Sequence, residues 1–131
     1  MTTQEENLAA EQIMALRSGI AAFEGKHFAR ALQLLYTLAE MGVVDAQYRC
    51  AIMAQNGLGM VINQQDALKW MTAAAEQGLA LAQHGLGFMY MQGECAEQND
   101  EKAVYWFRLA AEQGLAGAQA ALASMHGAGR G

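Results

Sequence analysis

One segment of the chain returns at a fixed interval, and this period limits the fold more than any other feature. The sequence AAAEQGLA at residues 73–80 recurs as LAAEQGLA at residues 109–116, and LAEMGVVDA at residues 38–46 is a weaker copy. Each copy contains a glycine, and the interval is 36 residues from 42 to 78 and again from 78 to 114. A period of this length is typical of a solenoid, in which each repeat is one supersecondary unit stacked on its neighbours.

Composition favours helices as the repeated element. Hydrophobic residues make up 53% of the 131 residues, and they are mostly Ala, Leu and Met rather than the β-branched residues that strands prefer. Proline is absent, so no residue forces a break inside a helix, and the 14 glycines are left to mark the helix ends. We therefore expect an all-α solenoid.

Charge and hydropathy exclude two classes of partner. The net charge is −5 and no Lys/Arg cluster interrupts it, which argues against a nucleic-acid-binding surface. No stretch approaches the ~18 consecutive apolar residues that a membrane span needs. The acidic start MTTQEENLAAEQ also lacks the basic and apolar regions of a signal peptide. We expect a cytoplasmic protein, or a periplasmic or secreted one if a signal peptide has been removed.

The third repeat shows the plan of the unit. Apolar residues at spacings of three and four predict a first helix over 82–92, and a second helix over 100–113 carries Trp106 on its apolar side. Asn99 is suited to cap the N-terminus of the second helix. Gly114 follows the last turn, where a left-handed residue is favoured. Each unit is thus expected to be a pair of antiparallel helices.

The same pattern predicts about seven helices in the chain. The second repeat gives helices over 45–56 and 64–77, and the fourth gives one helix over 118–126. This last helix is either a terminal cap or the start of a further unit in a longer array. We favour the longer array because GAGRG resembles the loop entry GLG of the second repeat.

The first repeat differs from the others in its loop. The step Gly19–Ala31 is 12 residues, whereas the same step is 16 residues in the second and third repeats, so the loop between the helices is shorter. Its helices are predicted over 5–24 and 27–41. Thr3 and Glu6 offer a capping box for the first of them.

Several motifs of the later repeats match a known family. They are a Gly-x-Gly after the first helix, an acidic residue before the second, Ala-x-x-Trp and Ala-Ala-Glu-Gln-Gly, which begin in the second repeat at Gly57, Asp66, Ala67 and Ala74. These motifs look like the Sel1-like repeat, a subclass of tetratricopeptide-like helical repeats, over about residues 39–131. The first repeat resembles a plain tetratricopeptide unit. The third repeat departs from the pattern at Cys95, which replaces the second loop glycine, and we expect this change to loosen or re-aim the turn.

The resemblance implies a right-handed α/α superhelix in which the first helices line a concave groove. It divides a single solenoid domain, 1–131, into a tetratricopeptide-like repeat at 5–41, Sel1-like repeats at 43–78 and 79–114, and a partial repeat or capping helix at 115–131. Proteins of this family, often bacterial, act mostly as adaptors that hold other proteins together. Enzymatic activity is rarely attributed to the repeats.

Most recurring side chains have a structural explanation. Three methionines share one register, and we expect them to pack as a ladder in the core rather than to bind copper: Met53, Met89 and Met125. Trp70 and Trp106 are expected to be buried between helices. Cys50 occupies an apolar helix position and is expected to be a buried thiol. Gly87 lies inside a helix, where glycine costs about 1 kcal/mol relative to alanine, so we expect close packing against the partner helix.

Binding specificity is expected where the repeats diverge, on the groove-facing side of the first helices. By register, the candidate partner-binding residues are Phe23, Tyr48, Ile52, Gln55, Asn56, His84, Phe88, Met91 and Gln92, with Leu16, Ile20, Glu24, Asp45 and Leu81 on the same face. Five of these are expected to form one apolar patch of the kind that marks a contact site: Ile20, Phe23, Ile52, Phe88 and Met91. The alternative is a tight superhelix in which this face is simply interior.

These observations predict a non-enzymatic protein–protein interaction module. We expect the groove to bind a peptide or amphipathic helix of a partner protein, with hydrogen bonds from Gln55, Asn56, His84 and Gln92 at its edge. The three histidines lie in different repeats, and no zinc, haem, nucleophile or phosphate-loop pattern occurs, so we predict no metal and no cofactor. One alternative is self-assembly into a homo-oligomer through the groove or the C-terminal face. The other is a weak hydrolase that uses His84 or Cys95.

Overall fold

The computed structural model describes residues 8–130, and within this part of the chain every regular element is a helix. The seven helices are α1 Ala10–Glu24, α2 Phe28–Glu40, α3 Val44–Asn56, α4 Gln64–Glu76, α5 Ala80–Gln92, α6 Asp100–Glu112 and α7 Ala116–Gly127. The prediction of an all-α fold with about seven helices is confirmed.

The helices form a solenoid of antiparallel pairs. Each helix packs against the next one along the chain, and α1 also contacts α3. We name the pairs unit one (α1 and α2), unit two (α3 and α4) and unit three (α5 and α6), and α7 occupies the first-helix place of a fourth unit. Because the largest interfaces all lie between helices that are consecutive in the chain, the period of the sequence is also the period of the structure.

The turn between units contains a left-handed glycine and is closed by a backbone hydrogen bond. Gly114 has φ +92°, and the equivalent glycines Gly42 and Gly78 have φ +93° and +97°. After the turn in unit three, the Leu115 amide donates to the carbonyl of Ala110 at 3.3 Å. These short turns start α5 and α7 at residues 80 and 116, two residues earlier than the apolar spacing predicted.

The loop between the helices of a pair has two forms, as predicted from the spacing. In unit one only residues 25–27 separate the helices, whereas residues 57–63 and 93–99 do so in units two and three. Each long loop ends in an asparagine cap: Asn63 Oδ1 accepts from the Asp66 amide and Asn99 Oδ1 accepts from the Lys102 amide, both at 3.0 Å. Cys95 keeps the left-handed conformation of the glycine it replaces, with φ +65° against +70° at Gly59. The prediction that this turn is re-aimed was therefore wrong. The backbone at Cys95 keeps the conformation of the glycine, although a residue with a side chain is strained there.

The core is built from the positions that recur every 36 residues. The predicted methionine ladder is confirmed, with Met53, Met89 and Met125 at 0%, 1% and 2% exposure. Cys50 and Trp70 are also buried, while Trp106 is only half-buried against the core. Gly87 packs on the ring of Phe107, and an added Cβ would lie 2.7 Å from two ring carbons. The predicted close approach of helices at Gly87 is thus confirmed.

The first helix begins later than the sequence pattern indicated. Leu8 and Ala9 lie outside α1, which starts at Ala10 instead of the expected residue 5. The side chain of Gln12 turns back and accepts a hydrogen bond from the Ala9 amide at 2.9 Å, which satisfies one of the free donors of the helix N-terminus. The proposed Thr3–Glu6 capping box lies outside the described residues.

Candidate functional site

The first helices of successive units share one continuous face. The guanidinium of Arg49 in α3 lies over the ring of Phe23 in α1, 5.6 Å from its centroid. Gln55 in α3 donates to the carboxylate of Glu94, just after α5, at 3.1 Å. Along the same face, the ring of His84 in α5 lies against the backbone of Gly117 in α7. We call this face the groove face.

The long loops form one edge of the groove face. Gly59 lies so close to the start of α2 that a Cβ would sit 2.6 Å from the backbone carbon of Phe28. The segment after α7 follows the same course, since Arg130 donates to the Met91 carbonyl at 2.9 Å and pairs with Asp100 at 2.9 Å. The loop of unit two and the segment after α7 thus each contact the unit before their own.

The candidate apolar residues of the groove face are half-buried rather than fully exposed. Phe23, Tyr48, Ile52, Phe88 and Met91 all pack partly on the core clusters. One flank of each side chain is therefore held rigidly while the other remains accessible.

Two other members of the face depart from this pattern. Leu81, at the start of α5, is 47% exposed, whereas Leu16 is 2% exposed and belongs to the core. The assignment of Leu16 to the groove was wrong, because its side chain is packed inside the core.

The polar candidates differ in how far their hydrogen-bonding groups are already used. Gln55 is engaged with Glu94, and the Asn56 amide nitrogen donates to the carbonyl of Ile52 at 3.0 Å. Gln92 and Asn56 are exposed. Asn56 Oδ1 and the Gln92 side chain are therefore the amide groups best placed to contact a partner.

His84 occupies an aromatic pocket on the groove face. Its ring centroid lies 4.9 Å from that of Phe88 and 5.8 Å from that of Phe107. The Nε2 atom is buried and has no hydrogen-bonding partner among the described residues. Burial lowers the pKa of His84, because desolvation disfavours the protonated ring. His84 therefore acts as a neutral aromatic side chain near pH 7.

Arg49 is a groove residue that the sequence pattern did not single out. It bridges two units by lying over Phe23, and its Nη1 is 3.5 Å from Asp45 Oδ1. The Nε atom is buried without a hydrogen-bond acceptor among the described residues. The equivalent residue in the next unit is Gly85, so no repeated motif could have pointed to Arg49.

A ladder of glutamines, also missed from the sequence, joins the two helices of unit two and the two helices of unit three. Gln77 Nε2 donates to the Gly42 carbonyl at 2.9 Å and to Gln47 Oε1 at 2.8 Å. Gln113 repeats both bonds in unit three. The signal was the recurrence of Gln47 at Gln83, since these two glutamines are buried and a buried polar side chain needs a hydrogen-bonding partner.

The described residues show no sign of a metal centre or of a membrane span. No group of three or more His, Cys, Asp or Glu side chains among them could hold a metal ion. No helix in residues 8–130 is long and apolar enough to cross a membrane.

The fold and the ladder of repeated contacts define a helical-repeat solenoid, and comparison with known proteins specifies the family. The family model of the Sel1 repeat matches residues 44–79 and 80–115, which is more than half of the chain. The chain therefore belongs to the Sel1 repeat family, whose members are generally protein-interaction modules. A search of curated proteins found no match.

Two crystal structures show the same architecture. A Sel1 repeat protein from Oxalobacter formigenes is 34% identical, with a TM-score of 0.83 over 88% of this chain and 48% of that chain. A protective antigen present in uropathogenic Escherichia coli strains, displaying an SLR fold, is 32% identical, with a TM-score of 0.84 over 91% of this chain and 26% of that chain. The present chain thus spans about half and about a quarter of these two proteins.

Proposed function

We propose that the chain is a non-enzymatic adaptor that binds a peptide or amphipathic helix of a partner protein along the groove face. The observation that carries this proposal is the row of half-buried apolar side chains running across three units, from Phe23 through Ile52 to Phe88 and Met91. Because one side of each of these side chains packs on the core, little side-chain entropy is lost when a partner covers the other side, and this favours binding.

The divergence between units supports a binding role for this face. Tyr48 in unit two becomes His84 in unit three, and Ile52 becomes Phe88, while other positions of the same helices, such as the buried Met53 and Met89, are identical. A purely structural face would be expected to repeat as the core does. Specific recognition instead needs a different shape and polarity at each point along the partner.

Charge indicates the kind of peptide that fits. The chain carries a net charge of −5, and Glu24 and Glu94 lie exposed on this face and its loop edge. We propose an amphipathic segment with apolar anchors and flanking basic residues, since opposite charge would speed association. The predicted compartment remains the cytoplasm, and no metal or cofactor takes part in the proposal.

A peptide-display selection tests the proposal with a defined probe. A random library is selected on the wild-type chain, and the enriched peptides are measured against Leu81→Glu and against Tyr105→Glu. Both residues are exposed, at 47% and 54%, so neither change should unfold the chain, but Tyr105 lies on α6 away from the groove face. We expect at least a tenfold loss of affinity for Leu81→Glu and less than a twofold change for Tyr105→Glu.

A second variant addresses the apolar row directly. Phe88→Ser with Met91→Ser should abolish peptide capture, and circular dichroism must show that the helices persist, because Phe88 also packs edge-on against Phe107 at 5.2 Å. Peptides that bind this variant as well as the wild type would reject the groove assignment. If light scattering shows a stable dimer, and Leu81 is buried in that dimer, self-assembly would be supported instead.

A further inference from the structure

The loop of unit two carries two exposed aliphatic side chains side by side. Val61 is 87% exposed and Ile62 is 56% exposed, and we call these two residues the apolar tip. Their transfer from water into an apolar contact is favourable. They lie on the side of the solenoid where the two helices of each unit are joined. We call this side the loop edge, and it comprises residues 24–30, 57–66 and 92–102.

Unit three shows that the loop does not need an apolar tip in order to fold. At the positions of Val61 and Ile62 it carries Glu97 and Gln98. Both loops nevertheless close in the same way, since the amide of the capping asparagine donates to a carbonyl of the first helix at 2.9 Å in each. The exposed aliphatic side chains of unit two are therefore not explained by the packing of the loop itself.

The loop edge is basic at unit one. Lys26 and Arg30 are exposed there, and Glu24 is the exposed carboxylate of the same stretch. Gly59 packs on the backbone of Phe28 at the start of α2, so the apolar tip lies next to this basic end. Between the basic end and residue 66 the edge is uncharged, because residues 57–65 contain no ionisable side chain.

The loop edge is acidic at unit three. Asp100 and Arg130 neutralise each other there by pairing at 2.9 Å. The ammonium of Lys102 lies over the ring of Tyr90, 5.2 Å from its centroid, and is thus directed back toward α5. Three exposed carboxylates complete this end of the edge: Glu94, Glu97 and Glu101.

The order basic, apolar and acidic along one edge is self-complementary. An interface with two-fold symmetry uses the same patch on both copies, so each residue contacts its complement elsewhere on the same patch. Units one and three lie one repeat to either side of unit two. When two copies lie antiparallel with the symmetry axis at unit two, the apolar tips meet at the axis. The basic end of each copy then faces the acidic end of the other.

We propose that the loop edge is the interface of a homodimer with two-fold symmetry. The apolar tips pack on each other, and Lys26 and Arg30 of each copy lie against Glu97 and Glu101 of the other. A second copy is the occupant because the edge itself carries the charge complement at the symmetric place. Further units of a solenoid contact only their neighbours in the stack, so they would extend this edge rather than cover it. The inference does not depend on the proposed function, because the apolar tip is not part of the groove face.

Sedimentation velocity at increasing concentrations of the full chain tests the apolar tip. The double variant Val61→Glu with Ile62→Gln takes the residues of unit three and should keep the fold. It should raise the dimer Kd at least tenfold, because it brings two carboxylates together at the axis. Met41→Glu is the matched control, since Met41 is 49% exposed and follows the far end of α2, and its Kd should stay within twofold of the wild type. The Leu81→Glu chain should also dimerise as the wild type does, which separates this interface from assembly through the groove face.

Exchanging charges between the two ends tests the antiparallel arrangement. One variant carries Lys26→Glu and Arg30→Glu, and the other carries Glu97→Lys and Glu101→Lys. Each variant alone places like charges opposite each other and should be monomeric, with helix content checked by circular dichroism. An equimolar mixture restores opposite charges at both ends, so a heterodimer should form with a Kd within about fivefold of the wild-type value, and high salt should weaken it.

Four results would overturn the proposal. They are a wild-type chain that stays monomeric at every concentration, wild-type dimerisation of the Val61→Glu, Ile62→Gln variant, dimers of either charge variant alone, and a mixture that stays monomeric although both variants are folded. Vesicles of phosphatidylcholine and phosphatidylserine provide a further test. If a monomeric chain sediments with these vesicles and loses this binding on Lys26→Glu with Arg30→Glu, the edge binds a membrane surface and not a second copy.

Discussion

The contact between Gly87 and Phe107 offers the most direct test of the packing. A Cβ at residue 87 would lie 2.7, 2.7 and 3.0 Å from three ring carbons of Phe107, which is itself 0% exposed. Overpacking of this kind costs about 1–3 kcal/mol. Replacing a glycine in a helix interior with alanine raises the free energy of unfolding by about 1 kcal/mol. We therefore expect Gly87→Ala to lower the free energy of unfolding by about 1 kcal/mol, and by at most about 2.

The chain supplies its own compensating change. In unit two the equivalent pair is Ala51 and Met71, so Phe107→Met should relieve the clash in the Gly87→Ala background. Urea unfolding of the wild type, the two single variants and the double variant forms a cycle, and we expect a favourable coupling of about 1 kcal/mol. In a thermal melt, Gly87→Ala should lower Tm by about 3–6 °C. A rise in Tm for Gly87→Ala, or equal effects of Phe107→Met in both backgrounds, would contradict the close approach.

Three further predictions concern polar and titratable side chains. Gln113→Met removes two hydrogen bonds, one of them to Gln83, and should lower the free energy of unfolding by about 1–2 kcal/mol in urea, since water replaces part of the lost bonding at this exposed end. Burial lowers the pKa of His84, so the stabilisation of the neutral ring is present above the unfolded-state value of 6.5 and is lost as the pH falls through it. The denaturation midpoint should therefore drop between pH 7.5 and 5.5, and less so in His84→Gln. Burial raises the pKa of the Cys50 thiol to about 12, so a maleimide should label half-buried Cys95 in the native chain and Cys50 only after unfolding.

The features that the sequence predicted well are those set by local chemistry. Helix ends followed from glycine and asparagine positions because a left-handed φ at Gly114 and a cap at Asn99 need no distant partner. The buried methionines also followed, because Met53 and Met89 lie at one register of a repeated interface. In a periodic sequence, a position predicted to be buried in one unit is also predicted to be buried in the next. Such predictions therefore support one another along the chain.

The features that were missed depend on how units lie against each other. The half-burial of Phe23 and the burial of Leu16 are set by the angle between α1 and its neighbours, which no spacing within a helix encodes. Trp106 shares its register with Trp70 but is less buried. Within the described chain, unit two is covered by the complete helix pair of unit three, whereas unit three is covered by α7 alone. Identical residues thus meet different surroundings once the array reaches its last described unit.

The glutamine ladder shows that one repeated residue type can have different hydrogen-bonding partners along the array. Within the array, Gln83 is a structural residue because Gln113 satisfies its side-chain oxygen. The same residue type at Gln119 has the same conformation and the same bond to the preceding unit, yet its oxygen has no donor within the described chain. Nothing in the local sequence separates the two cases; only position in the stack does. A repeated residue of a solenoid therefore has to be judged by its neighbours in the stack as well as by its register.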